Sequence, residues 1–191
     1  MMARIARMRL LVQVCLGIAL VMGGLSQEVA PFKYEGPQVR ASVFTDALGM
    51  VNRERTEYAT NLAIFAGDNV ITKKANPESL ALALRVTGLA LHLSPRNKRA
   101  LILNGQLKKG VLPKTVQTEY SPDTLAHLLI SRAEVLYQQK GGEDKLLARA
   151  FIDLAASIDP SNEDAIYAFE LQKIDHGEVP WKDFTAVQSS K

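Results

Sequence analysis

Two proline-centred stretches constrain the fold more than anything else in this chain. "HLSPRNKRALILN" runs from His92 to Asn104, and "SIDPSNEDAIYAF" runs from Ser157 to Phe169. Pro95, Asn97 and Ala100 of the first recur 65 positions later as Pro160, Asn162 and Ala165. Upstream, Ala83 and Ala90 recur at the same offset as Ala148 and Ala155. Alanines seven apart put two small side chains on one helical face, where a neighbouring helix can approach closely. A proline five residues on cannot continue the helix, because it lacks the N–H and its ring clashes with the preceding turn. The asparagine then turns or caps the chain, and the alanine opens the next helix. Writing this punctuation twice implies a helix pair stacked on another helix pair.

The rest of the chain has matching periodicity. Residues 27–41 hold two prolines and a glycine and read as an extended lead-in. From about Ala41 to Ala66, Val43, Ala47, Met50, Val51, Tyr58, Leu62 and Phe65 recur at helical spacing, and Gly67-Asp68-Asn69 can end that helix. Asn76 is placed to cap the next helix, with Pro77 in its first turn and Pro95 after its end. A helix follows from about Asn97 to Lys109, with Gly110 as its stop. Ser121-Pro122-Asp123 opens a helix that ends near Gly141-Gly142, and another runs from Glu143 to Ile158. Ser161 with Asp164 resembles a capping box for the last helix, which ends at Gly177. No segment reads as a strand. The expectation is an all-α chain of about six helices.

These residues resemble tetratricopeptide repeats, a helix–turn–helix family of about 34 residues per repeat. Ala148, Ile152, Ala155 and Pro160 match the family's second helix, as do Ala83, Thr87, Ala90 and Pro95. Ala100-Leu101 with Gly105 match the opening helix of a following repeat, and Ala133 and Leu136 match the first helix of the later one. No tryptophan marks a first helix, the stretch from Gly67 to Asn76 is too long for the standard turn, and the link from Lys109 to Ser121 is irregular. The resemblance implies antiparallel helix pairs stacked as a short superhelix over residues 42–176, with 177–191 as a tail. It also implies protein binding through a groove lined by the first helix of each pair. That face would carry Arg99, Ile102, Gln106 and Lys109 from one repeat and Asp164, Tyr167, Leu171 and Ile174 from the next. Some relatives clamp a peptide carboxylate with Lys and Asn. Ile102 and Gln106 stand in those places here and do not support the clamp.

The N-terminus is set aside from the fold. Arg4, Arg7 and Arg9 precede the apolar run Leu10–Leu25, and Gly24 and Ser26 are small. Residues 1–26 therefore read as a secretory signal peptide cleaved after Ser26, with an uncleaved anchor as the competing reading. Cys15 lies inside the run behind bulky Val14, which argues against a lipoprotein signal. The net charge of +3 then belongs to the three arginines of this segment. What remains is balanced and gives no case for nucleic-acid binding. It also holds no cysteine, hence no disulfide, thiol nucleophile or Cys-ligated metal. The expected location is exported: periplasmic or envelope-associated in a bacterium, touching the membrane only through this segment if it is retained.

Charge is unevenly spread. Residues 70–118 hold nine basic groups and one acid, whereas 119–191 hold 13 acids and seven basic groups. A basic stripe can receive an acidic protein or peptide, although a solvated helix face explains the same run. His92, His127 and His176 lie far apart; His92 and His176 read as helix-end cations, and no metal site is expected. No nucleophile motif, phosphate-cradling loop or cofactor signature occurs. Trp181 and Phe184 are expected to fold back over the last helix pair. The leading expectation is an exported, non-enzymatic scaffold or adaptor. A structural subunit of an envelope assembly and a hydrolase with an unrecognised site are the alternatives.

Overall fold

The computed structural model describes residues 32–116 and 120–186. The expected signal peptide, Cys15 and the first part of the lead-in lie outside the described residues. The chain is all-helical: α1 Asn52–Thr72, α2 Pro77–Leu93, α3 Lys98–Lys108, α4 Pro122–Tyr137, α5 Gly142–Ile158, α6 Glu163–His176 and α7 Trp181–Thr185. No strand occurs among the described residues, and none of their helices is long and apolar enough to cross a membrane.

Two three-helix units account for α1 to α6. In the first, α1 packs on α2 and α3 lies against both; in the second, α4 packs on α5 and α6 lies against both. The 65-residue offset is physical. α2 and α5 are each 17 residues long, and both ends of α5 lie 65 positions after those of α2. Their exits are built alike: the Asn97 N–H donates to the Ser94 carbonyl at 2.9 Å, and the Asn162 N–H to the Asp159 carbonyl at 3.1 Å. Each asparagine then caps the next helix, Asn97 Oδ1 accepting from the Ala100 N–H at 3.1 Å and Asn162 Oδ1 from the Ala165 N–H at 2.9 Å. Each amide also reaches back to the first helix of its own unit. Asn97 Nδ2 donates to Thr60 Oγ1 at 2.9 Å, and Asn162 Nδ2 meets His127 Nε2 at 3.3 Å. Ala83, Ala90, Ala100, Ala148, Ala155 and Ala165 are all fully buried, as close helix packing requires.

The units are joined across α2 and α5. Arg85 of α2 pairs with Asp153 of α5 at 2.9 Å, and Arg132 of α4 with Glu54 of α1 at 2.7 Å. Tyr58 of α1 stacks on Phe151 of α5 with ring centroids 5.2 Å apart.

The first helix is displaced from its expected place. The spacing predicts residues 41–66, whereas α1 spans Asn52–Thr72. Gly67-Asp68-Asn69 do not end it. Gly67 is buried within the helix, with the side chains of Leu103 and Pro113 opposite, and packing outweighs its helix penalty of roughly 1 kcal/mol. Lys74 and Ala75, both at φ 52, close the end instead. The link to α2 is thus short, and the stretch that looked too long for a repeat turn is mostly helix.

Residues 32–51 form an irregular strap in which Tyr34, Phe44, Leu48 and Met50 are buried. Buried backbone needs hydrogen-bond partners, and side chains of the helices supply them. The Arg55 guanidinium donates to the carbonyls of Met50 at 2.9 Å, Thr45 at 2.8 Å and Leu48 at 3.3 Å. Asp144 accepts from the Gly49 N–H at 2.7 Å and Glu143 from the Thr45 N–H at 2.8 Å. The apolar side chains therefore hold their buried places without helical hydrogen bonding.

Ser161 is not the cap of α6; it donates to Asp159 while Asn162 caps. His92 is not a helix-end cation. It is buried, its Nδ1 accepts from the Val43 N–H at 3.1 Å, and burial pushes its pKa down from 6.5 to about 4. The tail does fold back, but α7 packs on α2. Phe184 is 0% exposed between Phe44, His92 and Trp181, and the Arg85 guanidinium lies 5.5 Å over the Trp181 ring.

Candidate functional site

α3 carries the first half of the expected groove. Its start is fixed by the Asn97 cap, and Ala100, Leu103 and Leu107 turn one face into the core. Arg99, Ile102 and Gln106 lie on the other side. All three line one hollow of about 200 Å³, together with Ile64 and Asp68 of α1 and Lys114 of the connector. Arg99 also walls two neighbouring hollows. One, of about 770 Å³, is bounded by Thr56, Thr60, Arg96 and Lys98. The other, of about 590 Å³, runs along α1 from Thr56 to Ile64 and reaches Tyr120. Arg99 is thus the common wall of a continuous cleft along α1. Lys109 stands exposed at the end of α3 and does not line these hollows.

The cleft carries an excess of positive charge for a local reason. Arg96, Lys98, Arg99 and Lys114 bound it against Glu57 and Asp68, and among the described residues none of the four cations forms an ion pair. Lys98 and Arg99 sit in the first turn of α3, which holds no acid. The helix dipole puts partial positive charge there, so each cation costs about 0.3–1 kcal/mol. α6 carries Glu163 and Asp164 at the equivalent positions, as the dipole favours.

The second half of the expected groove is elsewhere. Asp164, Tyr167, Leu171 and Ile174 are exposed on α6, and none of the three hollows around Arg99 reaches them. Tyr167 is 71% and Ile174 80% exposed. The structure therefore gathers Arg99, Ile102 and Gln106 into one cleft and leaves the α6 residues as a separate stripe.

Sequence reasoning missed the α1 wall of the cleft, because Ile64 and Asp68 fell at the supposed end of the first helix. The polar floor of Thr56, Thr60 and Asn61 was visible as a break in that helix's apolar pattern. Asp153 is the other charged group in an unusual setting: burial raises its carboxyl pKa, while the nearby Trp181 indole and Arg85 partly offset this. It lies where α2, α5 and α7 meet, outside the cleft. The described residues contain no group of three or more His, Cys, Asp or Glu side chains placed to hold a metal. No protein-family model matches the chain, no curated protein does, and no solved structure does.

Proposed function

We propose that the protein is an exported, non-enzymatic scaffold or adaptor that receives an acidic protein or peptide segment on the α1–α3 cleft. In this reading the helix pairs are antiparallel and stack as a short tetratricopeptide-like superhelix. Residues 1–26 direct export, and the protein works in the periplasm or envelope of a bacterium. The observation that carries the binding role is the placement of Lys98 and Arg99 against the dipole of α3. Stability does not favour them there, and the equivalent turn of α6 has the acids that stability does favour. Residues that break a local rule without a stabilising return mark functional surface. An anionic partner supplies the missing charge, and the exposed Ile102 beside Arg99 supplies apolar contact. Asp153, the buried carboxyl with a raised pKa, is tied to Arg85 beneath α7, which favours binding over hydrolysis in the cleft.

The test separates binding from stability. Lys98→Glu with Arg99→Glu should leave the protein at least as stable as the wild type, because acids replace cations at the positive end of α3. The same variant should lose the proteins that wild type captures from its own cell envelope. A variant that keeps every captured protein contradicts the reading, and so does a wild type that captures none. N-terminal sequencing of the protein recovered from its cell checks export: Gln27 first indicates cleavage, and recovery with the cytosol contradicts the proposal.

A further inference from the structure

α3 and α6 hold the same place in the two units, and their outward faces are opposites. Position by position at the 65-residue offset, Lys98 faces out where α6 has Glu163, and Arg99 where it has Asp164. Ile102 corresponds to Tyr167, Gln106 to Leu171 and Lys109 to Ile174. Residues 95–109 carry five cations and no acid, whereas α6 carries four acids and one lysine. α6 also presents a stripe at 167, 171 and 174, an amphipathic spacing with nothing packed on it among the described residues. The chain thus displays a cationic face with a cleft and an acidic face with an apolar ridge.

We infer that the occupant of the α3 face is α6 of a second copy of this chain. This rests on the binding reading of the cleft given above and names its partner. Tyr167 and Leu171 would meet Ile102 and the hollow beside it, while Glu163 and Asp164 approach the cations of α3. Charge would orient the encounter and the apolar ridge would hold it, with the electrostatic part screened over about 8 Å at physiological salt. The two faces differ, so the contact is head-to-tail. Each pair leaves one α3 face and one α6 face free, and assembly proceeds to a ring or an open row.

The test is a charge swap on the full chain, read by sedimentation velocity in one detergent so that residues 1–31 contribute equally throughout. Wild type should show a mass that rises with concentration and falls with added salt. Lys98→Glu with Arg99→Glu, and separately Glu163→Lys with Asp164→Lys, should each abolish that rise. Mixing the two variants should restore it, because the reversed faces are complementary to each other. Ile174→Asp, far from the first turn of α6, should also weaken association and guards against a variant that fails for lack of helix. A monomeric wild type overturns the inference, as does association indifferent to both reversals. A monomeric wild type that still captures a foreign protein through Arg99 would leave the adaptor reading standing while this one fails. Loss of both would remove the cleft as a binding site.

Discussion

Gly88→Ala is the sharpest probe of how the tail is held. Gly88 lies in α2 under α7, and a Cβ there would stand 2.6 Å from the Phe184 carbonyl oxygen and 3.2 Å from its carbon. Both are backbone atoms, so no rotamer change relieves the clash. In a free helix the substitution stabilises by about 1 kcal/mol. Here the methyl must displace α7. Undocking exposes the Phe184 ring, a loss of about 2–3 kcal/mol. It also removes ring contacts at 5.9 Å to Phe44 and 5.7 Å to His92, typically about 0.5–1.5 kcal/mol per pair. Set against the helix gain, the net loss should be about 2–5 kcal/mol. Urea unfolding measures it, and Trp181, the sole tryptophan, reports docking directly. The native emission should shift to the red. Phe184→Ala added to this background should cost much less than it does alone, because both act on the same docking event. A Gly88→Ala protein that is more stable, with unchanged emission, would refute this account of the tail.

His92 is buried neutral with its pKa pushed down to about 4, so folding favours the unprotonated ring. Its contribution is complete above the unfolded pKa of 6.5 and is lost as pH falls from there toward 4. At about 1.4 kcal/mol per pH unit, the loss is at most about 3.5 kcal/mol, and His92→Asn should flatten the change in urea midpoint across this range. The paired caps predict paired costs: Asn162→Ala should destabilise by about 1 kcal/mol. Asn97→Ala should cost about 2 kcal/mol, since Asn97 makes two further bonds to α1, to Thr60 and the Thr56 carbonyl, where Asn162 has one longer contact with the His127 ring; equal thermal midpoints for the two variants would contradict that difference.

The helices that punctuation marks were legible. Asn76 before Pro77, and Ser121 before Pro122, announce helix starts through hydrogen bonds made within the first turn. Gly110 and Gly177 announce stops through the positive φ they adopt. Such signals are local, so the sequence states them outright. The strap was not legible. Val43, Ala47 and Met50 have helical spacing, yet their segment is fixed by Arg55, Glu143, Asp144 and His92, partners up to 98 positions away. Gly67 misled for the same reason, since its helix is sustained by neighbours on α3 and the connector. For the site, the residue types on α3 were readable from the repeat. Their assembly with Ile64 and Asp68 required knowing where α1 ends. The separation of α6 from that cleft required the third dimension.

The central claim is that the α3 face is occupied in the cell. The most direct test places a photo-activated cross-linking residue at Ile102 in the source organism, with exposed Lys140 as the control position. A discrete protein adduct should form at Ile102, disappear with Arg99→Glu and be absent at Lys140. If the adducted protein is the chain itself, joined within α6, the head-to-tail contact is established along with the binding role. No adduct at Ile102, or the same adducts at both positions, would contradict the claim that this face is a binding site.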